Sequence, residues 1–264
     1  MKLQDIMEHL SSNPIETGNM SRRQTLTAFS ELGKKFAMAS VPAALLAAIP
    51  SVSKAGVAGA NDVISTLNFA LTLEYLEKEY YQLGVASGVI AGSDLAIFQQ
   101  ISKHETAHVT LLQNTISQLG GSPVSKPTFD FTASGQFAPF IVYAQFLALS
   151  QAFEDTGVRA YKGQAGNLMS NNDVLTAALQ IHSVEARHAA EVRKLRGDKG
   201  WVTGSSYGTL PSVTAAIYAG EDNTTQGGVN VTTLTTVGTG AVTEAFDEPL
   251  SDTDVLAIAS LFIV

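Results

Sequence analysis

Eight side chains form two sets separated by one constant offset. Glu74, Tyr81, Glu105 and His108 recur eighty residues later as Glu154, Tyr161, Glu185 and His188, and each set ends in Glu-x-x-His. Residues three apart on a helix share a face, so each Glu-x-x-His presents an oxygen and a nitrogen to one point. Glu74 and Glu154 add one carboxylate each from two further helices. Such a constellation suits two divalent cations in the core of a four-helix bundle. Four carboxylates left uncompensated in an apolar interior would cost several kcal/mol each, whereas two divalent cations balance their charge. Protonation of some carboxylates in a metal-free form is the alternative.

The neighbours are weighed against the same offset. Glu77 lies one turn beyond Glu74, but its counterpart at the offset is Gly157, which favours Glu74 as the ligand. His104 and His182 flank the two motifs, and their counterparts are Val184 and Ser102, so both rank below the six. Tyr81 and Tyr161 read either as hydrogen-bond donors behind the ligands or as ordinary core tyrosines.

Four amphipathic helices are needed to position these residues, and the apolar spacing supplies them. The first is read from Asp62 to about Ala86, ending at Gly84 and Gly88. The second runs from Asp94 to Leu119 with Ser93 as N-cap and Gly120-Gly121 as stop. The third runs from Phe137 to Gly163 with Pro139 in its first turn, and the fourth from Asp173 to Leu195, capped by Asn171 or Asn172. Short turns make the first two and the last two helices antiparallel hairpins. The hairpin midpoints that would level the ligands fall near residues 90 and 170, where Gly88, Gly92, Ser93 and the run Gly166 to Asn172 signal turns.

Between Leu119 and Phe137 lie seventeen residues, able to reach roughly 55 Å when extended. A helix of about 26 residues is only about 40 Å long. The connection can therefore cross the bundle and leave the second and third helices parallel. Beyond Arg196 the sequence predicts a short helix over Leu210 to Ala219, then a Thr/Val/Gly-rich stretch from Asn223 to Thr243 that is irregular or a β-hairpin. A terminal fifth helix is expected over Asp252 to Phe262, with Ser251 as N-cap.

Composition bounds the function. The chain of 264 residues is 45% hydrophobic and 15% charged, with a formal net charge of -8 and no cysteine. An acidic chain without a basic stripe does not suit nucleic acid. The missing cysteines remove disulfides, thiolate metal sites and iron–sulfur clusters, so any metal is held by oxygen and nitrogen. Hard oxygen and imidazole donors suit iron or manganese.

Residues 1–60 read as an export segment and linker ahead of a domain at 61–197 and a C-terminal extension at 198–264. Ser21-Arg22-Arg23-Gln24-Thr25-Leu26 precedes Lys34 and Lys35, an apolar run from Phe36 to Pro50, and the small residues Ala55 to Ala60. The order resembles a bacterial twin-arginine signal, with Thr25 where phenylalanine is usual. An amphipathic N-terminal helix of a cytosolic protein is the alternative. The apolar run is too short for a stable transmembrane anchor, which needs about 20 residues. Removal through Ala60 would take six basic and four acidic residues, leaving a net charge of -10.

From about Asn61 to Gly197, the paired motifs and the single crossover resemble the ferritin-like di-metal carboxylate superfamily. The phrases Leu67-Asn68-Phe69-Ala70-Leu71-Thr72-Leu73-Glu74-Tyr75-Leu76-Glu77 and Ala245-Phe246-Asp247-Glu248-Pro249-Leu250-Ser251 are similar to those of bacterial ferritin-like domain proteins related to plant desiccation-related proteins. The resemblance implies bridging roles for Glu105 and Glu185, and terminal ligation by Glu74, Glu154, His108 and His188. It places Tyr81 and Tyr161 behind the ligands. The expectation is an all-α bundle holding two iron or manganese ions and acting on dioxygen or peroxide in stress protection, with self-association open. The alternatives are a non-enzymatic, desiccation-related helical protein that binds no metal, and iron storage in a hollow cage.

Overall fold

The computed structural model describes residues 60–264; the export-signal reading lies outside the described residues. The four long helices are α1 (Ala60–Ser87), α2 (Leu95–Gln118), α3 (Tyr143–Gln164) and α4 (Asn172–Leu195). Their apolar faces meet in two clusters, one at each end of the bundle. One joins Tyr80 and Tyr81 late in α1, Phe98 and Ile101 early in α2, Phe146 and Leu149 early in α3, and Val192 late in α4. The other joins Val63 and Leu67 early in α1, Leu112 and Ile116 late in α2, Tyr161 late in α3, and Val174 and Ala178 early in α4. Thus α1 and α2 are antiparallel, as are α3 and α4, while α2 and α3 run the same way. The fold is the ferritin-like helical bundle expected.

Residues 119–142 make the crossover. Gly120, at φ +81°, turns the chain out of α2, and the Gly121 amide returns to the Ile116 carbonyl at 2.9 Å, an arrangement that favours glycine because a side chain is strained there. Asn68 on α1 then holds the start of the crossover by accepting from the Val124 amide at 2.8 Å. Near its far end, Asp130 donates its amide to the Phe262 carbonyl at 2.8 Å, so the crossover also carries the C-terminal segment.

Several boundaries differ from the sequence expectations. The third helix starts at Tyr143 rather than Phe137. Pro139 disfavours helix at the residue before it, and the Ile141 and Val142 amides instead close a turn on the Ala138 carbonyl. Phe137 and Phe140 pack against the aromatic end cluster. The second helix is preceded by Asp94, without a side-chain cap, because the Ser93 hydroxyl donates to the Asp94 carboxylate at 2.8 Å. Of the two caps proposed for α4, Asn171 serves, accepting from the Val174 amide at 3.2 Å.

The C-terminal extension holds a 3₁₀ helix at Ser212–Tyr218, where a short helix was expected. In the Thr/Val/Gly-rich stretch, β1 (Thr225–Gln226) pairs antiparallel with β2 (Val229–Asn230), and α5 (Thr239–Thr243) follows. The terminal helix α6 (Asp252–Ala259) is capped by Ser251, which accepts from the Asp254 amide at 3.1 Å. Leu210, Ile217, Tyr218, Leu250, Val255 and Ile258 from this extension form a third cluster with Leu73 of α1 and Ala148, Ala152 and Ala160 of α3. Every residue of α3 from Phe146 to Tyr161 is consequently buried. No helix among the described residues is long and apolar enough to cross a membrane.

Candidate metal centre

The two end clusters leave the middle of the bundle to polar side chains. Glu74 from α1, Glu105 and His108 from α2, Glu154 from α3, and Glu185 and His188 from α4 converge there. All four glutamates are 0% exposed. Two groups of ligand-capable atoms form, each with its atoms within 4.8 Å of one another: Glu74, Glu105, His108 and Glu185, and then Glu105, Glu154, Glu185 and His188. Glu105 and Glu185 belong to both groups.

The distances show what the cluster lacks in hydrogen bonds. His108 Nδ1 lies 3.2 Å from Glu74 Oε2, 3.0 Å from Glu105 Oε2 and 3.1 Å from Glu185 Oε1. His188 Nδ1 lies 3.1 Å from Glu105 Oε1, 3.2 Å from Glu154 Oε2 and 3.6 Å from Glu185 Oε2. One ring nitrogen cannot serve three carboxylate oxygens with a single proton. Glu74 Oε2, Glu105 Oε1, Glu154 Oε2, both Glu185 oxygens and His188 Nδ1 have no hydrogen-bond partner. Buried oxygens left unpaired are costly, and a cation between them would satisfy several at once. The donor set fits metal ions.

The electrostatics carry the same strain. Burial, helped by Glu185 and Glu105, raises the Glu74 carboxyl from 4.5 to about 8. Burial alone would raise Glu185, but its contacts to His108 and His188 outweigh this and bring it down to about 2. Burial would lower His108, yet Glu105, Glu185 and Glu74 drive it up to about 12. Negative charge is concentrated here beyond what the two imidazoles neutralise.

The tyrosines cross between the halves. Tyr161 on α3 donates to Glu74 Oε1 at 2.5 Å, and Tyr81 on α1 donates to Glu154 Oε1. Each hydroxyl fixes the outer oxygen of a carboxylate while the other oxygen faces the cluster.

Of the lower-ranked residues, His104 stands behind His188 rather than among the ligands. The two rings stack at 5.1 Å and 9°, with His104 Nδ1 2.9 Å from His188 Nε2 and His104 Nε2 2.7 Å from the Gln100 amide. The Gln100 amide donates to His104 Nε2, which leaves the His104 proton on Nδ1, facing His188 Nε2. His182 is half-buried and belongs to neither group. Glu77 is only 4% exposed and also belongs to neither group, although burial, then the charges of Glu185 and Glu154, raises its carboxyl well above the usual range.

Sequence reasoning missed a second polar network on the outer face of α3. Arg193 forms a bidentate pair with Asp155, with Nη1 2.6 Å from Oδ1 and Nη2 2.5 Å from Oδ2. Tyr218 donates to Asp155 Oδ2 at 2.5 Å. Arg159 pairs with Glu221 at 2.9 Å and donates to the carbonyls of Ile217, Ala219 and Glu248. The signal was present: Gln151, Asp155 and Arg159 recur at four-residue spacing on α3, a polar stripe offset by one position from Glu154.

A bundle of two helical hairpins with one crossover, carrying buried carboxylate and imidazole groups able to hold metal, defines a class. The model of the ferritin-like domain family matches residues 62–198, and the chain belongs to that family. No curated protein sequence matches it significantly.

Proposed function

We propose that the chain is a dinuclear metal–carboxylate oxidoreductase using iron or manganese and acting on dioxygen or peroxide. The observation that carries this reading is the convergence of partnerless carboxylate oxygens and imidazole nitrogens in the core. Glu105 and Glu185 would bridge, while Glu74 with His108 and Glu154 with His188 would each complete one position. Reduced metal ions held by these residues would supply two electrons, which with two protons would take dioxygen to hydrogen peroxide or peroxide to two waters.

The protein's own groups prepare that chemistry. Tyr161 and Tyr81 hold the carboxylates of Glu74 and Glu154 by their outer oxygens, and His104 orients the His188 ring. The aromatic and aliphatic clusters on either side exclude bulk water and strengthen charge interactions in the middle. A role in stress protection, and export through the segment at residues 1–60, belong to the same proposal. Export is supported by the order of arginine pair, apolar run and small residues in the sequence. N-terminal sequencing of protein recovered outside the cytoplasm tests it.

Activity is tested by loading the protein with Fe(II) anaerobically and then admitting dioxygen or hydrogen peroxide. Ferric absorbance should appear faster than with free Fe(II), and a Glu105→Ala/Glu185→Ala variant should abolish the acceleration. Equal rates with and without protein would leave a non-enzymatic helical protein as the better reading.

A further inference from the structure

The metal centre has two unlike flanks. Between α2 and α4 it is bounded by His108, His188 and, behind them, His104 and Gln100. Between α1 and α3, under α6, lies a small cavity of about 20 Å³ walled by Leu73, Phe153, Ile258 and Ala259 and bordered by Glu77 and Gly157. A single water needs roughly 10–15 Å³, so the space admits one very small molecule.

Gly157 leaves one part of the cavity wall without a side chain. A methyl group on residue 157 would stand 3.2 Å from Glu77 Oε1 and 3.7 Å from both Cγ and Oε2 of Glu185. Gly157, on the cavity wall, therefore also borders Glu185, a carboxylate shared by both ligand groups. Here the eighty-residue offset departs from symmetry: Glu77 faces Gly157, its counterpart at that offset, which has no side chain. The hydroxyl of Thr156, also on the wall, is already donated to the Ala152 carbonyl at 2.7 Å. Glu77 thus supplies the cavity's polar end.

We propose that this cavity is the docking pocket of the centre's small uncharged oxidant, a molecule of the dioxygen or hydrogen peroxide class; the assignment rests on the metal-centre reading above. Apolar walls disfavour a hydrated cation, whose desolvation is costly, and accept a neutral diatomic-sized molecule. Metal ions and oxidant then approach from different flanks. Glu77 borders the docked molecule and can accept a hydrogen bond from hydrogen peroxide, and Ile258 and Ala259 of α6 wall the pocket from outside. The C-terminal extension thereby contributes to the centre without supplying a ligand.

Two measurements test this. In the metal-free wild-type protein, dioxygen pressure should shift the methyl resonances of Leu76 and Ile258, which line this cavity, more than those of Ile116 or Val174 in the end cluster; equal shifts overturn the assignment. In the Fe(II)-loaded protein, Ala259→Val should fill the cavity from α6, leaving metal content unchanged and slowing oxidation at least tenfold. The arm that slows, dioxygen or peroxide, names the oxidant. Full metal content with undiminished rates in both arms overturns the docking pocket alone. Absence of bound metal in the wild type overturns the metal-centre reading, and the pocket's role falls with it.

Discussion

The Tyr161 hydroxyl of α3 donates to Glu74 Oε1 of α1 at 2.5 Å, tying a carboxylate of the first helical hairpin to a phenol of the second. Tyr81 and Glu154 make the reciprocal tie. The two sequence sets therefore exchange partners in space, and neither hairpin completes its own site.

Tyr161→Phe should leave Glu74 Oε1 without its donor in a buried place. A loss of about 1–3 kcal/mol is expected for the metal-free protein, and metal affinity should weaken by about 10- to 100-fold. Thermal melts and competitive chelator titrations check both. Unchanged affinity would show that the hydroxyl does not position the carboxylate.

The Asp155–Arg193 pair has a different role, joining α3 to α4 beneath Tyr218 of the extension. Asp155→Ala strands a buried guanidinium and should cost about 3–5 kcal/mol, whereas the apolar double replacement Asp155→Leu/Arg193→Met should cost much less. Urea denaturation of the two variants makes the comparison. Equal losses would place the energy in packing rather than in an uncompensated charge.

Gly163 sits where a Cβ would come within 1.9 Å of the Leu250 carbonyl oxygen. Backbone cannot yield as a flexible side chain does, so Gly163→Ala should destabilise by about 1–3 kcal/mol. It should also loosen the segment leading to α6. Faster amide exchange at Leu250, whose N–H is bonded to the Arg159 carbonyl at 3.2 Å, is the expected readout; unchanged protection there would show that the segment shifts as a unit.

The ionisation pattern predicts how chelation depends on pH. Glu74 is raised from 4.5 to about 8 and His108 from 6.5 to about 12, so the metal-free fold holds these protons more tightly than the unfolded chain does. Their contributions are complete below the unfolded values and are lost as pH rises through the folded ones. Glu185, lowered to about 2, contributes above 4.5 and loses that contribution only as pH falls through 2. Between pH 5.5 and 8.5 the metal-free centre should therefore weaken, while bound metal takes over from the protons. Metal at a hundredfold excess over its Kd adds about 2.7 kcal/mol, or roughly 5–11 °C in Tm for a domain of this size. The drop in Tm on chelation should be larger at pH 8.5 than at 5.5, and a larger drop at 5.5 would contradict the assignment.

The long helices were legible because their apolar spacing, turn glycines and ligand offset agree with one another. Glu74 and Glu154 were distinguishable from nearby acids by that offset alone. It hid Glu77, whose importance comes from lacking a symmetric partner and from the space that Gly157 leaves. His104 was ranked as a weak ligand because spacing brings it near the site but cannot show its ring stacked behind His188. The late start of α3 reflects Pro139 and the aromatic packing of Phe137 and Phe140, a tertiary preference that helical periodicity does not encode. Likewise, only the fold shows that Gln151, Asp155 and Arg159 face a C-terminal extension rather than solvent.

The central claim is that the six side chains hold two metal ions. Elemental analysis after anaerobic Fe(II) loading, desalting and removal of loosely bound ions measures this directly, using protein without a chelating tag. About two iron ions per chain in the wild type, and loss of both in Glu105→Ala/Glu185→Ala, are the expected results. Iron content that is negligible in the wild type, or the same in the double variant, would contradict the account.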